Sequence, residues 1–118
     1  SPNYADAYCN RAITYDQMEQ YDTAIKYFSK AIEINPKFAS AYNGRGAAYI
    51  KLDQYNEAKA DFSKVLQLQP KNAKAYFNRA VASSKLKKNE DAKRDLQKAG
   101  ELDPTLKEEI KKISETLK

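Results

Sequence analysis

Four prolines divide this chain into units of equal length. Pro2, Pro36, Pro70 and Pro104 each stand 34 residues from the next. Tyrosine, arginine and alanine residues keep the same interval: Tyr8, Tyr42 and Tyr76; Arg11, Arg45 and Arg79; Ala24, Ala58 and Ala92. A period of this length is typical of repeat arrays. We therefore predict three equivalent units that bury their apolar faces by stacking on one another, because one unit is too small to do so alone.

Each unit contains two stretches with the apolar spacing of an α-helix. Tyr8, Ala12 and Tyr15 follow an i, i+4, i+7 pattern, and a second such stretch begins at Ala24. A short polar turn separates the two stretches, and each unit ends before a proline, which disfavours helix at the preceding residue. The sequence predicts an all-α fold with helices near residues 4–17, 20–34, 38–51, 54–68, 72–85 and 89–102.

The two ends of the chain differ. Residues 105–118 predict a seventh helix, with Asp103 as its N-cap and Pro104 in its first turn. The apolar stripe of this helix would cap the third unit; it consists of Leu106, Ile110, Ile113 and Leu117. Pro2 lies where a preceding repeat would end, so we expect the chain to be part of a longer protein and its first unit to be open to self-association.

Small and charged residues at fixed positions indicate how the helices pack. Gly46 and Ala58 belong to the series that would let the two helices of a unit approach closely. The arginines of the second and third units are each followed by an aspartate sixteen residues later, at Asp61 and Asp95. We expect these to form ion pairs within the packing, and not to take part in function.

This pattern resembles the tetratricopeptide repeat family, in which an aromatic residue, a small residue, tyrosine, alanine, phenylalanine, alanine and proline recur in 34 residues. The first copy reads Tyr8, Ala12, Tyr15, Ala24, Phe28, Ala31 and Pro36. The resemblance implies a single domain over residues 1–118, with repeats at 5–38, 39–72 and 73–106 and a capping helix at 105–118. It also implies a right-handed superhelical stack with a concave face formed by the first helix of each repeat.

The resemblance further implies a peptide-binding groove on that concave face. Asparagine amides there can donate to and accept from a peptide backbone, and lysines would favour acidic or polar peptides. Carried over by position, the groove residues are Cys9, Asn10, Ile13, Asn43, Lys51, Lys74, Phe77, Asn78 and Lys85. Some family members grip a terminal carboxylate with two lysines, two asparagines and one arginine. Those five positions fall here on Cys9, Ile13, Gly44, Lys74 and Asn78, of which only Lys74 agrees, so we expect no such clamp.

Composition narrows the remaining function classes. The chain has no histidine and one cysteine, so the common zinc sites cannot be assembled, and we expect neither a cofactor nor an enzyme activity. The lone cysteine fits a reducing compartment, and we expect a cytoplasmic protein. No apolar run is long enough for a membrane span. The net charge of +5 is concentrated in the second half, where basic and acidic residues are interspersed. Because the sequence offers no exposed aromatic residues interleaved with basic ones, we expect no nucleic-acid binding.

Two functions remain open. The first is a protein–protein interaction scaffold that binds an extended peptide or partner segment in its concave groove, as an adaptor or a co-chaperone-like protein. The alternative is a structural module that assembles through its repeat ends. Peptide affinity of a monomer distinguishes the first from a concentration-dependent oligomer without such affinity.

Overall fold

A computed structural model of the protein describes residues 2–117, and the side chains of residues 4–117. The prediction of an all-α fold is confirmed, and each of the six repeat helices begins and ends within two residues of the predicted bounds. The helices are α1 (Pro2–Gln17), α2 (Tyr21–Ile34), α3 (Ala39–Lys51), α4 (Tyr55–Leu68), α5 (Ala73–Lys85) and α6 (Asn89–Leu102), followed by a 3-10 helix (Pro104–Leu106) and α7 (Lys107–Ser114).

The helices stack in chain order, and their contacts give the stack two unlike sides. Each helix packs against the next along the chain. In addition, α1 contacts α3, α3 contacts α5, and α5 contacts α7. No contacts join α2 to α4 or α4 to α6 among the described residues. Because the first helices of the units approach one another while the second helices diverge, the stack is concave on the side of α1, α3 and α5.

Two glycines in α3 let neighbouring helices approach closely. A Cβ atom added at Gly46 would lie 2.9 Å from Cζ of Phe62 on α4, so only glycine fits this contact without a shift. At Gly44 a Cβ atom would lie 2.4 Å from Cζ of Phe28 on α2. Both phenylalanine rings are buried. The structure therefore shows the close packing that was predicted at Gly46. Gly44 allows an equally close approach of α3 to Phe28 in the preceding unit.

The turn between the two helices of each unit has a left-handed residue that is not glycine. Glu19, Asp53 and Lys87 have φ values of 60°, 59° and 61°. In the first unit the N–H of the next residue, Gln20, donates to the carbonyl oxygen of Tyr15 at 2.9 Å, which is the 6→1 hydrogen bond of a Schellman motif. The same carbonyl oxygen also accepts from the Met18 N–H at 3.1 Å, so both hydrogen bonds help to satisfy the carbonyl groups at the end of α1.

The predicted arginine–aspartate pairs are present in the second and third units. Nε and Nη2 of Arg45 donate to the two carboxylate oxygens of Asp61 at 2.9 and 2.8 Å. Nη1 of the same guanidinium donates to Oγ of Ser29 at 3.0 Å, which joins the pair to the preceding unit. The hydrogen bonds that Arg45 donates to Asp61 raise the pKa of its guanidinium. These arginines therefore connect three helices, as a packing role requires.

The first unit departs from this arrangement because Tyr27 occupies the position of the aspartate. The guanidinium of Arg11 lies 4.9 Å from the centroid of the Tyr27 ring. Tyr15 stacks on the same ring with centroids 5.4 Å apart. An aromatic stack thus replaces the ion pair in the first unit.

The C-terminal segment caps the stack with less helix than predicted. Asp103 accepts a hydrogen bond from the Thr105 N–H at 3.0 Å and caps a 3-10 turn that contains Pro104. The α-helix that follows ends at Ser114, so the predicted helix over 105–118 is too long. Leu117 is nevertheless only 3% exposed and packs with Ala80, Ala92 and Leu96, together with Ile110 and Ile113. The apolar stripe therefore covers the third unit although its last member follows a turn.

Candidate functional site

The concave side of the stack contains a pocket of about 340 Å³ centred on the start of α3. Its apolar part comes from α1 to α4, and its polar part comes from α3 and from the connection between α4 and α5. The lining residues are Ile13, Phe28, Ala39, Ser40, Asn43, Gly44, Val65, Gln69 and Asn72. The pocket thus combines an apolar floor with hydroxyl and amide groups at its edge, which is the composition of many peptide and small-molecule sites.

Two of the residues predicted for the groove, Ile13 and Asn43, meet in this pocket. Ile13 is 42% exposed, so its aliphatic side chain is open to contact from outside the stack. Asn43 is half-buried. An exposed isoleucine beside a half-buried amide offers a partner both apolar contact and a hydrogen bond.

Cys9 does not lie on the exposed groove wall where the sequence predicted it. Its side chain is 4% exposed. It belongs to a cluster of buried residues between α1, α2 and α3, called here the first core cluster, together with Ala12, Ala24, Phe28, Ala31 and Ala41. Burial, with a smaller contribution from the carboxylate of Asp6, raises the pKa of its thiol. The difference arises because Cys9 faces the α1–α2 interface, and helical spacing alone does not show how deeply such a position is covered.

The predicted lysines are all exposed. Lys51 ends α3, Lys85 ends α5, and Lys74 lies in the first turn of α5. None of the three forms an ion pair with a carboxylate within 4 Å in residues 2–117. Lys74 does lie close enough to Asp103 to contribute, after the hydrogen bonds from Thr105, to a lowered pKa of that carboxyl group. The three ammonium groups are therefore not paired with a carboxylate of the described residues and can interact with a charged partner.

The remaining predicted residues divide between surface and core. Asn10 is exposed and Asn78 is half-buried. The structure gives no hydrogen bond to the side-chain amide of either residue, or to that of Asn43, from any other described residue. Phe77 is half-buried and packs on the cluster of Ala80, Leu96 and Leu117. The asparagine amides are thus free to bind a ligand, whereas the Phe77 ring mainly supports the third unit.

The carboxylate-clamp positions cannot form a clamp in this structure. The cysteine at the first position is buried, and Ile13 supplies no hydrogen bond. At Gly44 the ring of Phe28 occupies the space where any side chain would begin, since a Cβ atom there would lie 2.4 Å from Cζ and 2.5 Å from Cε1 of that ring. The expectation of no clamp therefore has a steric reason in addition to the sequence mismatch.

Sequence reasoning missed two polar residues of the pocket, Gln69 and Asn72. They lie in the connection between α4 and α5, whereas the prediction considered only the first helix of each unit. Nδ2 of Asn72 donates to Oε1 of Gln69 at 2.9 Å, and Oδ1 of Asn72 accepts from the Ala75 N–H at 3.0 Å as the N-cap of α5. An asparagine directly before a predicted helix is the signal that could have placed it there.

Residues 2–117 contain no group of three histidine, cysteine, aspartate or glutamate side chains placed to hold a metal ion. No helix in that part is both long enough and apolar enough to span a bilayer.

Family models match most of this chain. A tetratricopeptide repeat model matches residues 5–38 and 39–72. A second tetratricopeptide repeat model matches residues 62–94. No curated protein shows a significant sequence match.

Solved tetratricopeptide repeat (TPR) domains have closely similar structures. The first TPR of Spaghetti (RPAP3), bound to the HSP90 peptide SRMEEVD, has a TM-score of 0.92 and 28% identity over 99% of this chain and 95% of that one. The second TPR domain of human RPAP3, in complex with the HSP70 peptide SGPTIEEVD, has a TM-score of 0.93 and 26% identity over 100% and 99%. The TPR2B domain of yeast Sti1, in a pHsp70 complex, has a TM-score of 0.91 and 25% identity over 97% and 95%.

Proposed function

This chain belongs to the tetratricopeptide repeat family, and we propose that it is a protein–protein interaction module that binds an extended, acidic or polar peptide segment on its concave face. It would act as an adaptor or a co-chaperone-like protein. Similar domains hold HSP90 and HSP70 peptides that end in EEVD, which supports an acidic partner segment.

The pocket at the start of α3 carries this proposal. It joins the exposed Ile13 to the amides of Asn43, Gln69 and Asn72 in one depression of about 340 Å³. An extended peptide presents an N–H and a C=O at every residue, and an amide side chain can pair with both. The apolar floor can then accept one aliphatic side chain of the same peptide. A site of this kind holds a peptide backbone and selects few of its side chains.

Charge on the concave side favours acidic residues in the partner. Lys51, Lys74 and Lys85 are exposed and carry no close ion pair within the described residues. Exposed charges act mainly on the rate of association and on the choice of partner, and salt weakens them. Binding should therefore weaken as the ionic strength rises from low to moderate.

The terminal carboxylate of the partner should contribute little. Its recognition requires donors that converge on one point, and three of the five positions that would supply them hold Cys9, Ile13 and Gly44. Acidic side chains within the peptide, which the lysines can approach separately, should matter more. The site would thus differ from a clamp in accepting internal segments of a partner as well as its C-terminus.

The test is binding of the chain to a display library of peptides with free C-termini, at low and moderate salt. Selected peptides, and SRMEEVD as a reference, are then measured by fluorescence anisotropy in free and C-terminally amidated forms. The double variant Lys74→Ala, Asn78→Ala removes one charge and one amide from α5. Lys98→Ala is the matched control, since it removes an exposed lysine from α6 on the opposite side of the stack.

We expect enrichment of acidic or polar peptides, a loss of affinity of about tenfold in the double variant, and parent affinity in Lys98→Ala. Amidation should change the affinity less than twofold. Library selection without enrichment, or equal affinity of the double variant and the parent, would show that the groove assignment is wrong. A large loss on amidation would show instead that the chain grips a terminal carboxylate.

Self-assembly is the second candidate, and exposed apolar side chains on the first unit favour it. Tyr4 is 64% exposed and Met18 is 56% exposed. If these residues join two copies, sedimentation velocity should give a mass that rises with concentration, and Tyr4→Ser should return it to that of a monomer. A constant monomer mass up to high concentration excludes this function.

A further inference from the structure

The third unit lacks a tyrosine that the first two units share. Tyr15 and Tyr49 are both half-buried, whereas the equivalent position 34 residues later is Ser83. The guanidinium of Arg45 lies 6.0 Å from the centroid of the Tyr49 ring. The second unit therefore shows how a phenol ring is accommodated beside the repeated arginine.

The surroundings of the missing ring are retained in the third unit. Nε and Nη2 of Arg79 donate to the carboxylate of Asp95 at 2.7 and 2.8 Å. Nη1 of Arg79 donates to Oγ of Ser63 at 3.1 Å. These contacts repeat those of Arg45 with Asp61 and Ser29 at the same spacing. The hydrogen bonds that position the arginine beside Tyr49 in the second unit are thus also present in the third unit, beside Ser83.

A pocket of about 300 Å³ opens at this place, between α4, α5 and α6. Oγ of Ser83 is fully buried and has no hydrogen-bond partner in the part of the chain that is described. An unpaired buried hydroxyl group is energetically unfavourable, so a ligand that pairs with it gains affinity. The pocket is lined by Lys59, Ser63, Arg79, Ser83, Asp91, Arg94 and Asp95.

Two of the three basic residues of this pocket, Arg79 and Arg94, are already paired with carboxylates, which favours an aromatic ligand over an anion. All edge donors named above for Arg79 are taken by Asp95 and Ser63, and the carboxylate of Asp91 is bound to Arg94. An anion would have to compete with these two carboxylates. The Arg79 guanidinium already lies 5.6 Å from the centroid of the Tyr76 ring. The equivalent Arg45 lies near two rings, at 5.7 Å from Tyr42 and 6.0 Å from Tyr49, so a guanidinium whose edge is occupied can still contact a second aromatic ring.

We propose that this pocket binds the phenol ring of a tyrosine side chain from a partner segment, with the ring against the Arg79 guanidinium and the hydroxyl group paired with Oγ of Ser83. The ring would fill in trans, with its hydroxyl end toward residue 83 and therefore in the reverse orientation, the space that the rings of Tyr15 and Tyr49 fill in cis. The site lies on the side of α4 and α6, away from the groove of α1, α3 and α5. It is independent of the groove function.

The test uses the whole chain labelled with ¹⁵N and the probe N-acetyl-tyrosinamide, followed by two-dimensional NMR. N-acetyl-phenylalaninamide and inorganic phosphate are the comparison ligands. Ser83→Tyr restores the residue of the other units and should fill the pocket. Ser83→Ala keeps the pocket open and removes only the hydroxyl group, so it remains informative if the tyrosine variant fails to fold.

We expect the tyrosine probe to shift amide signals of α5 and α6 around Arg79, with a dissociation constant on the order of 1 mM for so small a ligand. The phenylalanine probe should bind roughly 2- to 10-fold more weakly, since it lacks one hydrogen bond. Ser83→Tyr should abolish the shifts, and Ser83→Ala should abolish the difference between the two probes.

Three results would overturn the proposal. The first is an absence of shifts at high probe concentration. The second is an unchanged set of shifts in Ser83→Tyr with a native melting curve. The third is a response to phosphate at concentrations where the tyrosine probe gives none, which would make the pocket an anion site.

Discussion

Replacing Gly44 by alanine should destabilise the protein, although alanine is the better helix former. The added Cβ atom would lie 2.4 Å from Cζ and 2.5 Å from Cε1 of Phe28. Carbon atoms do not approach so closely, so either α3 or the ring must move. The ring is 2% exposed and packs in the first core cluster, so it has little freedom to move except toward the groove pocket that it also lines.

The magnitude follows from two opposing effects. Overpacking of a close-packed contact costs roughly 1–3 kcal/mol. Glycine to alanine within a helix contributes about 1 kcal/mol in the other direction. With the contact well inside van der Waals distance, we expect a net loss of about 1 kcal/mol in the free energy of unfolding of Gly44→Ala. A second consequence is weaker peptide binding if the displaced ring enters the pocket.

Gly100 on α6 provides the matched control. A Cβ atom added there meets only the terminal methyl group of Ile110 at 3.3 Å, and that flexible group can yield. Gly100→Ala should therefore stabilise the protein by about 0.5 kcal/mol or more. In urea unfolding with a slope of about 1.5 kcal/mol/M, the midpoints of the two alanine variants should differ by about 1 M.

A double-mutant cycle with Phe28→Leu identifies the cause. Removing the ring atoms that clash should make Gly44→Ala neutral or stabilising in that background, so the two changes should be strongly non-additive. If Gly44→Ala is as stabilising as Gly100→Ala in the parent chain, the close approach of α3 to Phe28 is wrong. If the two changes are additive, the destabilisation has another origin.

Two further predictions concern the buried charge pair and the thiol. Asp61→Ala should lower the free energy of unfolding by about 2–3 kcal/mol, because it leaves the half-buried Arg45 guanidinium unpaired. Glu90→Ala, which breaks an exposed ion pair with Lys93, should lower it by less than about 0.5 kcal/mol. Urea unfolding measures both variants. Equal effects would contradict the burial of the first pair. Cys9 should react slowly with a thiol reagent in the native protein at pH 8, because burial and a raised pKa both reduce the amount of accessible thiolate. In urea it should react at the rate of a free thiol. Fast labelling of the native protein would show that Cys9 lies on the surface.

The repeat made the helices and their pairing predictable from the sequence. Three copies of each position remove the ambiguity that a single helical pattern leaves, so the helix bounds agree closely with the structure. The offset of sixteen residues also located the Arg45–Asp61 and Arg79–Asp95 pairs, since it links the same two positions of the two helices twice. Local spacing was sufficient because the contacts of a stacked array are themselves local.

The candidate site was less predictable because it depends on depth and on loops. Helical spacing placed Cys9 on the concave side but could not show that α2 covers it. The contact between Gly44 and Phe28 joins two units, and no periodicity within one unit reports it. Gln69 and Asn72 line the pocket because the connection between α4 and α5 bends toward it. A helical pattern in the sequence does not predict the path of that connection. The helix α7 is also shorter than predicted. Leu117, the last residue of its apolar stripe, reaches the core from a turn that follows the helix, so the stripe does not require a continuous helix.

The most direct test of the proposed groove is to locate a selected acidic peptide on the ¹⁵N-labelled chain by amide shift mapping. Binding on the concave face predicts the largest shifts in α1, α3 and α5 and around Gln69 and Asn72. Smaller shifts are expected near Phe28 of α2 and Val65 of α4, which line the pocket, and little change in α6. Shifts concentrated on α4 and α6, or at the ends of the stack, would contradict the proposed function.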